Sequence, residues 1–283
     1  MSFKQVSKII APPQPHWVGN GFAVHGFFNN FVESNSPFLL LDYAASRYFE
    51  PSNIQRGVGS HPHRGFETVT IALQGSVTHH DSRGNEGTIS SGDVQWMTAG
   101  SGILHQEYFE KEFNSRGGDF QMVQLWVNLP AKDKMTTPRY QDIRSNDIPV
   151  FESNGAKLKI IAGQYADLVG PAKSFSPVEM FILELDKDSN FEFGLEESYT
   201  NLVLNLEGEV EINQTLLPVN HLLTFDKIGQ TIQFQAKQKS KLLILSGQPL
   251  NEPIAHYGPF VMNQKSELTQ AIDDFNLGKF GQL

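Results

Sequence analysis

The chain has 283 residues, and its 22 Lys and Arg against 31 Asp and Glu leave a net charge of −9 at neutral pH. That acidic balance excludes a broad phosphate-neutralising surface, and with it direct nucleic-acid binding of the electrostatic kind. The absence of cysteine excludes disulfides, thiolate catalysis and Cys-ligated zinc or iron–sulfur centres.

The chain opens on "MSFKQVSKIIAPPQPHW", which lacks the apolar core of a signal peptide. No later run approaches the ~18 apolar residues needed to cross a bilayer. A soluble, cytoplasmic protein without membrane contact is expected. The aromatic-rich "HWVGNGFAVHGFFNNF" that follows reads as core strands, with a contact surface as the alternative.

Residues 59–75, "GSHPHRGFETVTIALQG", open a strand with His61 and His63 on either side of Pro62. Side chains at i and i+2 of a strand share a face, so the two imidazoles point together. A proline suits a strand's first residues, where no ladder donor is needed. Glu67 has the same parity, but on a straight strand its Cα lies about 13 Å from that of His63. It arrives only if Gly65 bends the chain, so a place behind the ligands or in a salt bridge is expected for it. "THHDSRGNEG" reads as a polar hairpin that leaves His79 and His80 at the surface.

Further along, "WMTAGSGILHQEYF" repeats the i, i+2 relation with His105 and Glu107, about 7 Å apart along a strand. Two such strands side by side offer three imidazoles and one carboxylate: His61, His63, His105 and Glu107. This donor set suits a divalent transition metal. Octahedral iron(II) would keep two positions open for substrate and oxygen, and zinc fits the same atoms. One H-x-H pair occurs by chance in many sequences; two i, i+2 pairs in one β-rich stretch make a stronger case.

Short apolar runs broken by Gly, Pro, Asn and Asp continue to the end, the pattern of a β-sandwich or barrel. "NLPAKDKMTTPRYQDIRSNDIP" is polar with a proline near each end, as a boundary should be. The expected division is a metal-binding domain over 1–134, a linker over 135–146 and a second domain over 147–283. "TNLVLNLEGEVEINQ" in the second half echoes "ETVTIALQGSVTHHD" in the first, which suggests two similar β-domains in tandem. Aligning Gly208 with Gly75 puts Gly194 and Glu196 where His61 and His63 stand, so the second domain is expected to be metal-free. In "SELTQAIDDF", Leu268, Ala271, Ile272 and Phe275 share one helical face, with Ser266 placed to cap a short C-terminal helix.

The order H-x-H-x3-E, then a G-D strand, then a third histidine resembles the cupin superfamily. "HPHRGFETVT", "GDVQWMTAGSGILHQE" and the tail "EPIAHYGPFVMNQKSE" with "GKFG" are similar to the pirin family over most of the chain. Seven residues rather than six separate Glu67 from Gly75, and Gly100 stands where germin-type cupins carry proline; both departures agree with pirins.

The resemblance implies an all-β fold of two tandem antiparallel β-barrel jelly rolls. It also implies one iron in the N-terminal barrel, held by His61, His63, His105 and Glu107. The ligands accommodate manganese, copper, nickel or zinc as well as Fe(II). The implied activity is oxidation of a flavonol such as quercetin by O2 with release of carbon monoxide, Glu107 taking the hydroxyl proton. Trp96, Gln124 and Trp126 would line the substrate pocket, or else belong to the barrel core. The alternative implied by animal pirins is a non-enzymatic, iron-dependent regulator that binds protein partners.

Overall fold

The computed structural model describes residues 2–29, 31 and 33–283. Contacts divide the chain into two units, and neither is a continuous segment. One joins Gln14–Ser145 to Leu250–Leu283; the other joins the residues up to Pro13 to Asn146–Pro249.

In the histidine-bearing unit, a seven-stranded antiparallel sheet runs in the order Arg139–Ile143, Val94–Thr98, Phe66–Gln74, Gly118–Asn128, Phe38–Phe49, Phe22–Phe28 and His16–Val18. A four-stranded sheet holds Gly57–His63, Ile103–Phe109, Ser76–Asp81 and Glu86–Ser90 in that order. β-Branched and aromatic residues give these segments strand character. Phe22, Phe120 and Met122 of the larger sheet pack with Val77, Ile89 and Phe109 of the smaller in one buried cluster. Gly75, at φ +81°, carries the chain from one sheet to the other. A Cβ there would come within 2.8 Å of the Phe120 ring and 2.9 Å of the Phe113 ring, so glycine is required by space as well as by φ.

The other unit repeats this plan. Its seven-stranded sheet is ordered Val6–Ile10, Leu222–Phe225, Thr200–Glu207, Ser240–Gly247, Val178–Leu185, Ala156–Ala162 and Val150–Ser153. Its four-stranded sheet is Asn190–Gly194, Thr231–Ala236, Val210–Ile212 and Thr215–Leu217. The two echoing sequence segments occupy equivalent places, and Gly208, at φ +78°, stands where Gly75 stands. The protein is therefore all-β with two cupin domains.

The unit boundaries differ from the division at 134 and 147, for identifiable reasons. Residues 139–143 form the outer strand of the histidine-bearing unit's sheet, paired with Val94–Thr98. Tyr140 stacks on His79 at 4.3 Å and bonds its Nδ1 at 3.0 Å, while Arg144 pairs with Asp93 at 3.2 Å. The polar composition of 135–146 thus reflects side chains used in bonds, not a free linker. At the chain's start, Val6–Ile10 pairs with Leu222–Phe225. At its end, Phe260, Leu268, Ala271 and Phe280 pack with Leu104.

The C-terminal helix spans Lys265–Asn276. Leu268 and Ala271 are buried and Ile272 packs beside them, as the spacing predicts, but Phe275 is 39% exposed. Asp274 takes the inward position instead, bonded to Arg64 at 2.9 Å. Ser266 is not the cap. The helix begins two residues earlier, with Gln264 at its N-cap, and the Glu267 carboxylate accepts from the Gln264 N–H at 2.8 Å. Among the described residues, no helix is long and apolar enough to cross a membrane.

Candidate metal centre

Two neighbouring strands of the four-stranded sheet build the centre. Gly57–His63 and Ile103–Phe109 run antiparallel with His61 opposite His105 and His63 opposite Ile103. Parity puts His61 and His63 on one face, and the pairing brings His105 onto it. The ring centroids lie 4.3, 4.7 and 4.8 Å apart. One nitrogen from each ring lies within 4.8 Å of the other two.

The polar environment fits a metal. Both ring nitrogens of His105 and Nδ1 of His63 are buried without a hydrogen-bond partner, a costly arrangement unless a ligand satisfies them. His61 Nδ1–H donates to the Gly59 carbonyl at 2.8 Å, which fixes the tautomer and leaves the Nε2 lone pair available. Burial lowers the pKa of all three, and each of the two deeper histidines is lowered further by its histidine neighbours. The rings are therefore neutral and competent as ligands.

Glu107 stands close by but outside this tight group. The register slips between His105 and Glu107, so that Glu107 faces Val58 rather than Gly59. Its carboxyl lines the same cavity as His61 and His63. Burial raises it to about 7 despite hydrogen bonds from Thr70 and Gln124. The single Thr70 hydroxyl proton goes chiefly to Gln124 Oε1 at 2.8 Å, with Glu107 Oε1 further off at 3.4 Å, leaving the Gln124 amide to face Glu107.

Glu67 is elsewhere. Gly65, at φ +86°, turns the chain from the small sheet into the large one, so strand parity does not carry over from His63 to Glu67. The Glu67 carboxyl accepts from Thr98 Oγ1 at 2.7 Å and has Arg139 nearby. Burial nevertheless pushes it up to about 7. The corner itself is fastened from behind. A Cβ on Gly65 would come to 1.9 Å from the Val261 carbonyl oxygen. Lys134 Nζ donates to Gly65 O at 2.8 Å, Asn128 Oδ1 at 2.7 Å and Val261 O at 3.0 Å. Three acceptors are one more than a neutral amine serves, which favours the ammonium even though burial pulls Lys134 down to about 7.

A cavity of about 270 Å³ opens beside the histidines, close to the lower end of the range for small-molecule sites, about 300–1,000 Å³. Gln124 and Trp126 line it, as expected. Trp126 stacks on Phe66 at 4.2 Å and meets the His63 ring edge-on at 5.1 Å. Trp96 does not line it. It is fully buried on Val94–Thr98 opposite Val69, on the Glu67 side of the sheet. His79 is also not at the surface: it is buried under Tyr140, and burial lowers it to about 4. Its neighbour His80 keeps the outward place, paired with Glu86 at 3.0 Å. The sequence reading missed Asp42, Leu40, Met122 and Pro259 in the cavity wall. They lie on strands or a tail far apart in sequence, and no local pattern marks them.

Comparison with known proteins agrees with this architecture. The family profile described as Pirin matches residues 22–127, and that described as Pirin C-terminal cupin domain matches residues 180–281. Human pirin is 34% identical over 258 residues, spanning 88% of this chain and 84% of the human protein. This chain belongs to the pirin family. Among solved pirin-like structures, one titled quercetin 2,3-dioxygenase from Acinetobacter baumannii superposes with a TM-score of 0.95 at 49% identity, covering 99% of each chain. A Pseudomonas aeruginosa relative named "Putative quercetin 2,3-dioxygenase" is 46% identical over 281 residues, 98% of each chain.

Proposed function

We propose that this pirin-family protein is a metal-dependent dioxygenase that cleaves a flavonol such as quercetin with O2 and releases carbon monoxide. The observation that carries the reading is the three-histidine cluster, with its orphaned buried nitrogens, opening onto an apolar-walled cavity of small-molecule size. The relatives named for quercetin dioxygenation support it. His61, His63 and His105 would hold the metal, with Glu107 as the fourth ligand, and iron(II) is the proposed ion.

A divalent metal there supplies Lewis-acid polarisation of a bound oxygen, lowering the pKa of the flavonol 3-hydroxyl. Glu107 would give up its ligand role to take that proton as general base, because its carboxyl lines the cavity and Gln124 and Thr70 orient it. Trp126, Leu40 and Met122 in the wall exclude water and give the aromatic rings an apolar bed. The cysteine-free chain is compatible with a reducing compartment, and the cytoplasm is its proposed location.

The test is carbon monoxide release with oxygen uptake when quercetin meets iron-loaded protein, with His105→Ala as control. Release that requires His105 is expected. No release with iron, nor after reloading with manganese, copper or nickel, would overturn the dioxygenase reading and favour a binding role.

A further inference from the structure

A second carboxyl lines the cavity. Asp42 lies on Phe38–Phe49, directly opposite Gln124 of Gly118–Asn128. Gln124 in turn lies opposite Thr70, and Thr70 opposite Gln95. Four polar residues thus cross the large sheet in one register. Thr70 and Gln124, the middle of the row, serve Glu107. Asp42 ends the row on the side away from Gln95, two strand spacings or about 10 Å from Thr70.

The surroundings of Asp42 are particular. It stands opposite Gly26 on Phe22–Phe28, and a Cβ at Gly26 would come to 3.1 Å from Asp42 Oδ1 and 3.2 Å from the His16 ring. Glycine therefore makes room for the carboxyl and the imidazole together. Burial raises Asp42 to about 6 while His16 lowers it, so it is ionised for the most part at neutral pH and accepts hydrogen bonds. Beside Asp42 the cavity wall is apolar: Leu40 lies two residues along the same strand toward Trp126, and Phe22, Val24 and Met122 complete the lining. No Lys or Arg lines the cavity among the described residues, so nothing beside Asp42 would pair with a carboxylate on the substrate, and the Asp42 carboxylate itself repels one.

We propose that Asp42 is the specificity residue of this cavity: it accepts a hydrogen bond from a hydroxyl on the substrate ring remote from the histidine cluster. The site accordingly selects neutral polyhydroxylated aromatics. An aromatic bearing only the oxygens that reach the metal, or bearing a carboxylate at its far end, is discriminated against. The inference rests on the flavonol reading above and names which members of that class the site prefers.

The test is a binding measurement that needs no turnover. Quercetin and 3-hydroxyflavone share the oxygens that approach the metal, but only quercetin carries remote hydroxyls. Each is titrated into iron-loaded protein without oxygen, and quenching of tryptophan fluorescence is followed, which Trp126 in the cavity wall reports. Unaltered protein is expected to prefer quercetin. Asp42→Asn should weaken quercetin about tenfold or more, the worth of a hydrogen bond to a charged acceptor, and leave 3-hydroxyflavone unchanged. Asp42→Ser makes the same comparison should the asparagine variant not fold. Equal affinity of the unaltered protein for both ligands overturns the inference. So does equal weakening of both in the variants, which would make Asp42 a structural residue. In either case flavonol binding, and the proposed function, stand. If the unaltered protein binds neither ligand, the proposed function falls and the inference with it.

Discussion

His61, His63 and His105 differ in what their second nitrogens do. His61 is held by Gly59, whereas both nitrogens of His105 are buried without a partner. Loss of His105 would therefore remove a proposed ligand and also relieve an unsatisfied site. His105→Ala and His61→Ala are each expected to lose bound iron while keeping the unaltered far-ultraviolet circular dichroism. Full iron occupancy in either purified variant would refute the four-ligand set. The two buried glutamates provide a sharper contrast, because burial raises both to about 7 although only Glu107 faces the cavity. Glu107→Gln should lower iron affinity or turnover at least tenfold, and Glu67→Gln should do much less. Isotherms for iron binding to the two variants measure this, and the reverse ranking would move the carboxylate role to Glu67.

Strand parity is a relation within one strand, and the successes and failures of the sequence reading follow that limit. His61 with His63 needed only i, i+2 and is found as expected. Parity also says that of His79 and His80 one points inward, and the outward assignment of both contradicted it; nothing local shows which. For Trp96 the alternative holds, barrel core rather than pocket wall, since alternation does not say which face of Val94–Thr98 meets the cavity. At Glu107 the register slip against the neighbouring strand lies beyond any local pattern. The helix provides a test at this scale. Lys279 foremost, with Arg64 and Gln270, holds the Asp274 carboxyl down at about 2, and Arg64 adjoins His63. A carboxyl whose folded pKa is depressed stabilises above its ordinary value near 3.8 and loses that contribution as pH falls toward about 2. Denaturant melts between pH 5 and 2 should therefore show a loss that Asp274→Asn abolishes. The loss is on the order of 1 kcal/mol, because solvent screens the exposed Lys279 side. Parallel curves for the two proteins would exclude this role.

The two ends of the chain each belong to the unit distant in sequence. The tail touches the candidate metal centre because Val261 N–H donates to the Arg64 carbonyl at 3.0 Å, next to His63. Val261 also packs on Phe66, and Phe260 and Phe280 pack in a cluster with Leu104. Ending the chain at Pro249 should cost about 5 kcal/mol or more, from the burial of these three side chains alone. Aggregation on expression, or a large fall in melting temperature with loss of iron, is the expected result. A stable, iron-binding truncated chain would show that the tail is dispensable.

What the sequence determined by itself was whatever depends on neighbours within a few residues: the β class, the duplicated plan, the histidine pair, and the His105–Glu107 pair as candidates. Periodicity and turn chemistry are local, so one strand's residues carry them. Tertiary structure alone decided which strands became neighbours. That choice put His105 opposite His61, left Glu107 beside the cluster, sent Glu67 and Trp96 to the far face, and aligned Asp42 with Gln124. Strand pairing joins residues tens to hundreds of positions apart, through burial and backbone hydrogen bonds that any apolar strand offers equally, and one chain's letters do not name the partner.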